Sequence, residues 1–207
     1  MSIDDVIPLH LADVTFPDTH PLRGQQGEVF GFAVRHRRGL VLFDTGIGSG
    51  NERLDRYYSV VHRSLEDALA GHQHRLEDVT AIVSSHLHFD HCGNNHLFPG
   101  VPIYAQTIEV EAARQPRYTV PEWIDFPGAE YRMIEGDVDV ADGIRIVATP
   151  GHTVGHQSIV LETAGGAVIL AGQAVYSRAE YDHIARNDAL DEDDLSPDPE
   201  VYLASAR

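Results

Sequence analysis

At 207 residues, with 43% apolar side chains spread along its length, the chain is long enough for one domain, residues 1–207, with a substantial core. That content argues against a disordered or fibrous protein, and 15 basic against 32 acidic residues, a formal charge of −17, argue against nucleic acid or an anionic membrane as partner. No stretch approaches the roughly 18 apolar residues of a membrane span, Asp4 and Asp5 stand where a signal peptide would be basic then apolar, and the lone Cys92 forms no internal disulfide, so the expected location is cytoplasmic.

Glu28–Arg37 alternates apolar and polar residues and leads into Gly39-Leu-Val-Leu-Phe-Asp44, the pattern of hairpin strands entering a buried sheet, closed by the turn Asp44-Thr-Gly46. Leu54–Ala70 reads as one helix, with apolar Leu65, Ala68 and Leu69, Ser64 as a cap and Gly71 as terminator. Thr80–Ser84 is a short buried strand that delivers the chain into Ser85-His-Leu-His-Phe-Asp-His91. Val101–Tyr104 is read as a strand, Thr107–Ala113 as a helix, and Tyr131–Ile134, Val138–Val140 and Ile144–Ala148 as strands, the last leading into Thr149-Pro-Gly-His152. Ser158–Glu162 and Ala167–Leu170 form a hairpin through Ala164-Gly-Gly166. Asp188–Asp198 is an acidic surface loop, and Ser196-Pro197 caps a final helix through Val201 and Ala204.

Thirteen histidines are many for this length, and several fall in two short glycine-containing segments. His86, His88, Asp90 and His91 place three imidazoles and a carboxylate within six residues at a strand end, a ligand set that suits zinc. A histidine-rich turn bonded to backbone and water is the competing reading, and this spacing is far more specific than an isolated histidine. In Pro150-Gly-His-Thr-Val-Gly-His156, glycines let the backbone bend close to an ion, so His152 is the natural third ligand and His156 a supporting residue. Cys92 follows His91 directly and is read as packing beneath the loop.

These residues carry a resemblance. Asp44-Thr-Gly46, His86-x-His-x-Asp-His91, Pro150-Gly-His-Thr-x-Gly-His156, and Ala171-Gly172 followed by Tyr176 resemble the metallo-β-lactamase superfamily, and within it the N-acyl-homoserine-lactonase-like hydrolases. The resemblance implies an α+β fold, an αββα sandwich of two sheets flanked by helices with metals in a cleft at one sheet edge. It implies a first metal on His86, His88 and His152, a second on Asp90 and His91, an Asp44 that braces the metal loops, and a Tyr176 whose phenol donates to the substrate carbonyl. Two departures stand out. Gln173 replaces the bridging aspartate after Ala-Gly, bringing no charge, and the last histidine ligand of the family lies beyond a helix within which this chain ends. One firmly held zinc and a weak second site are therefore expected, with a homodimer conceivable through an uncovered sheet edge.

Three neutral imidazoles leave the charge of zinc undiminished and one position open, the condition for a bound water with a pKa of about 7. Attack of that water on an ester carbonyl, with Asp90 relaying the proton to the leaving alkoxide, makes Asp90 the candidate acid and base. The expected function is hydrolysis of a small-molecule ester or lactone, with acyl-homoserine lactones as the implied substrates. A thioesterase or β-lactamase shares the chemistry, and a metal-binding protein with impaired or no turnover is the alternative from another class, favoured by Gln173 and the missing ligand.

Overall fold

The computed structural model describes residues 1–190 and 197–206. Its first half builds a seven-stranded sheet from β1 (Val6–Thr15), β2 (Gln26–His36), β3 (Gly39–Phe43), β4 (Val61–His62), β5 (Val79–Val83), β6 (Pro102–Gln106) and β7 (Glu130–Ile134), in the order β4-β1-β2-β3-β5-β6-β7. β1 to β4 pair antiparallel, whereas β3, β5, β6 and β7 run parallel. Five short helices join them: α1 (Glu52–Tyr57), α2 (Leu65–Ala70), α3 (Phe89–Cys92), α4 (Thr107–Ala113) and α5 (Pro121–Ile124). The second sheet is a four-stranded antiparallel meander of β8 (Val138–Ala141), β9 (Ile144–Ala148), β10 (Gln157–Thr163) and β11 (Gly166–Leu170), followed by α6 (Arg178–Asn187) and α7 (Pro199–Ala206).

Alternation along β3 explains how the layers hold together. Leu40 and Leu42 point to one face, where Leu65 and Leu69 of α2 join Ile7, Leu9, Ile82 and Ile103. Val41 and Phe43 point to the other and meet Ile144, Ile146, Ile159 and Leu161 of the second sheet. A central strand apolar on both faces is what a sheet packed on both sides requires, and the result is the expected sandwich of two sheets flanked by helices.

The expected single helix over Leu54–Ala70 is instead two helices separated by β4. The apolar spacing that suggested it belongs to residues 65–70 alone, capped by Ser64 Oγ on the Asp67 N–H at 3.2 Å. Between the helices Ser59 adopts φ +48° and Val61-His62 pairs with Ala12-Asp13 of β1. β1 itself was not anticipated: Ile7, Leu9 and Leu11 alternate inward, but Pro8 and a bulge between His10 and Ala12 interrupt the period. α6 was also missed, although Ser177, which accepts from the Glu180 N–H at 3.1 Å, carries a capping signature. The expected cap Ser196 lies outside the described residues, as does most of the acidic stretch, residues 191–196. α7 starts two residues beyond Pro197, with Asp198 Oδ1 accepting from the Val201 N–H at 3.2 Å.

Candidate metal centre

Strand direction brings the chemistry to one edge. β3 and β5 are parallel, so Asp44 and the segment from Ser84 to His91 leave the first sheet at the same end. β9 and β11 both pair antiparallel with β10, so Thr149–His152 and Ala171–Gln173 leave the second sheet together. The Gln157 N–H donates to the Ser85 carbonyl at 2.8 Å and Thr45 N–H to the His91 carbonyl at 2.7 Å, tying the loops to one another.

Asp44 is the buried centre of the first loop pair, held at φ +60°, a conformation that aspartate tolerates better than most residues. Its Oδ1 accepts from the Ser85 N–H at 2.6 Å, and its Oδ2 from Ser85 Oγ at 2.7 Å and His91 Nδ1 at 2.8 Å. These contacts match the bracing place implied by the resemblance. Gly93 lets the loops close: its N–H donates to Gly46 O at 2.8 Å, and a Cβ there would meet Gly48 N at 1.9 Å. Gly93→Ala is expected to cost about 2–3 kcal/mol by overpacking, read as a lower urea midpoint with an unchanged m-value.

Three ring nitrogens converge in a closed triangle. His86 Nε2 lies 3.0 Å from His88 Nδ1, and His152 Nε2 lies 3.2 Å from each. Ser85 Oγ gives its proton to Asp44 and so accepts from His86 Nδ1 at 3.0 Å, which leaves His86 Nε2 bare. Burial and the neighbouring imidazoles hold His86 well below its usual pKa, burial lowers His88, and burial with His88 and His91 nearby pushes His152 down to about 3. All three are therefore neutral at pH 7, the form a metal ligand needs. Lone pairs facing one another at this spacing repel unless a cation sits among them. Tetrahedral zinc, with Zn–N near 2.0–2.1 Å, sets its ligand nitrogens about 3.3 Å apart, so the donor set fits.

Asp90 and His91 stand beside this triangle, with Asp90 Oδ2 and His91 Nε2 3.5 Å apart. Burial opposes both charges, but each partner's opposite charge prevails, with Asp44 adding to the effect on His91: the Asp90 carboxyl lies below its usual range and the His91 imidazolium above. Gln173 lines the same cleft, and its backbone N–H donates to His156 Nε2 at 3.0 Å. His156 Nδ1 meets Thr149 Oγ1 at 2.9 Å and Thr149 O at 3.0 Å, so this fully buried histidine braces the Gly172 turn. Cys92 is buried, with Sγ on the Leu87 and His88 carbonyls at 3.4 and 3.2 Å, and burial pushes its thiol far up. The Tyr176 hydroxyl lies 2.7 Å from His152 Nδ1; with His152 Nε2 bare, Nδ1–H is the donor and the phenol orients that ring.

Glu109 escaped the sequence reading. It is fully buried on the apolar stripe of α4 with Val110 and Ala113, where a carboxylate is the one discordant residue. The only other grouping of metal-ligating atoms among the described residues is His10, Asp13 and Glu28, at the surface, and Arg63 holds Asp13 there at 2.7 Å. The triangle instead opens on a cavity of about 840 Å³ whose lining includes Phe16, Leu22, Tyr58, Phe89, Arg117 and Tyr118.

A family model described as the metallo-beta-lactamase superfamily matches residues 25–205. The chain belongs to this superfamily. Within it, an N-acyl homoserine lactonase from a Bacillus species is 44% identical over 108 residues, 52% of this chain and 43% of that protein. The matched stretch thus takes in less than half of the curated relative's length. Among solved structures, a single-site mutant of B. thuringiensis AiiA with N-decanoyl-L-homoserine bound at the active site superposes with a TM-score of 0.78 at 26% identity, over 100% of this chain and 87% of that one. An N-acyl homoserine lactone hydrolase with the product N-hexanoyl-L-homoserine at its catalytic metal center gives 0.75 at 29%, over 97% and 84%.

Proposed function

We propose that this protein is a metal-dependent hydrolase that opens the ring of N-acyl homoserine lactones. The triangle of His86, His88 and His152 nitrogens at the floor of a cleft with apolar walls carries the reading. The named lactonases add to it, since those solved with bound product match over most of their length. Zinc is the cation we assign, held firmly by the three histidines. Asp90 and His91 form a weaker second site, because Gln173 contributes a neutral amide where a carboxylate would bridge.

When bound, the cation supplies Lewis acidity toward a carbonyl oxygen and acidifies water. The chain does the rest. Phe16, Leu22, Tyr58, Phe89 and Tyr118 exclude water and hold an acyl chain. Asp90, ionised and facing the cleft, takes the proton released as water adds to the lactone carbonyl and returns it to the ring oxygen as the C–O bond breaks, giving a hydroxy acid. Tyr176 either orients His152, as its present contact supports, or swings to donate to the carbonyl. We read residues 1–207 as one domain working in the cytoplasm; among the described residues no helix is long and apolar enough to cross a membrane.

The test is hydrolysis of acyl homoserine lactones, thioesters and a β-lactam by zinc-loaded protein, with and without a chelator. Lactone opening that vanishes with chelation and returns with zinc is expected. Turnover of the thioester or β-lactam alone would reassign the substrate. Zinc uptake with no turnover on any ester would favour a metal-binding role, the reading to which Gln173 lends weight.

A further inference from the structure

The two ligand loops belong to different sheets: His86 and His88 follow β5, and His152 follows β9. One side chain spans them. Glu109, with none of its surface exposed, accepts from the Leu87 N–H at 2.8 Å and from the Tyr118 hydroxyl through Oε1, and from Thr153 Oγ1 at 2.7 Å and the Gly155 N–H at 3.2 Å through Oε2. Leu87 lies between His86 and His88, Thr153 follows His152, and the Tyr118 ring packs 4.9 Å from that of His88. Gly155 meets α4 so closely that a Cβ on it would fall 2.5 Å from Glu109 Cβ and 2.7 Å from its nitrogen. Burying a carboxylate is costly unless hydrogen bonds replace its water. Here four neutral donors do so, two from each ligand side, and both ends of the clamp abut a ligand histidine.

We infer that Glu109 is a positioning residue whose carboxylate sets the separation of His152 from His86 and His88, and with it the affinity of the centre for its cation. The inference rests on the metal-centre reading. A glutamine cannot replace the carboxylate, because its Nε2 must face either the Gly155 or the Leu87 N–H, donor against donor. The clamp is also not interchangeable with bulk packing, since the donors on Oε1 come from the His86 and His88 side of the triangle and those on Oε2 from the His152 side.

The experiment uses the full chain, Glu109→Gln and Thr153→Val, the latter removing one donor while keeping shape. Zinc affinity is measured by chelator competition, the unfolding midpoint is taken on the metal-free proteins, and amide exchange is followed at Leu87 and Gly155. Glu109→Gln is expected to weaken zinc by about 10- to 100-fold, the range seen for groups supporting metal ligands. Thr153→Val should shift it the same way by less, with faster exchange at Gly155 in both. A lowered midpoint with wild-type affinity at temperatures where both variants are folded would overturn the inference and leave Glu109 a packing residue. Should the wild-type chain itself take up no zinc, the metal-centre reading falls and this one with it; wild-type uptake with unaltered variants sinks the clamp alone.

Discussion

His152→Ala is expected to abolish tight zinc binding and to lower the proposed lactone hydrolysis by roughly 10³-fold, since the cation's contribution to the transition state is several kcal/mol and each ~1.4 kcal/mol is a factor of ten. The reason is geometric. His152 is the only member of the triangle that comes from the second sheet, and both of its 3.2 Å contacts close the cage. Without it, His86 and His88 offer two nitrogens 3.0 Å apart and no third on the open side. The fold should survive, because the His152 ring is half-buried and the loop is held independently by Thr149, Thr153 and the Ser205 Oγ bond to Pro150 O at 2.6 Å. Equilibrium dialysis with metal analysis, alongside a lactone assay, checks both halves. Wild-type zinc content in the variant would remove His152 from the ligand set.

Asp44→Ala is expected to be strongly destabilising. It strips the acceptor from the Ser85 N–H, the Ser85 hydroxyl and the His91 imidazole at once, and puts alanine at φ +60°. Breaking a buried ion pair from one side costs about 3–5 kcal/mol. At about 2–4 °C per kcal/mol in a chain of this size, the melting temperature should fall by roughly 10 °C. Asp44→Asn, which tolerates the backbone and keeps one acceptor oxygen, should lose about half as much. Calorimetry of the metal-free proteins separates the two, and equal losses would show that the carboxylate outweighs the backbone conformation.

Much of this was legible in the sequence because it is local. Spacing in His86-x-His-x-Asp-His91, the strand immediately before it, and the glycines around His152 each encode their geometry within a few residues. α4 and the β10–β11 hairpin were readable for the same reason. What escaped depends on distant pairing. β4 is two exposed residues that form a strand only because β1 lies beside them, and β1 carries a proline and a bulge that blur its period. Glu109 resembles any surface glutamate of a short helix until the fold brings four donors to it from residues 87, 118, 153 and 155. The substrate-facing role that the family resemblance implies for the Tyr176 phenol is a matter of chemistry that spacing does not encode; its hydroxyl meets His152 Nδ1 at the cleft, with Tyr202 stacked 6.3 Å away.

The most direct test of the central claim is anomalous diffraction at the zinc edge from crystals of the zinc-loaded protein. The account predicts a strong peak about 2.0–2.1 Å from His86 Nε2, His88 Nδ1 and His152 Nε2, with a weaker one or none between Asp90 and His91. A loaded crystal with no peak inside the triangle, or with zinc only at His10, Asp13 and Glu28, would contradict it.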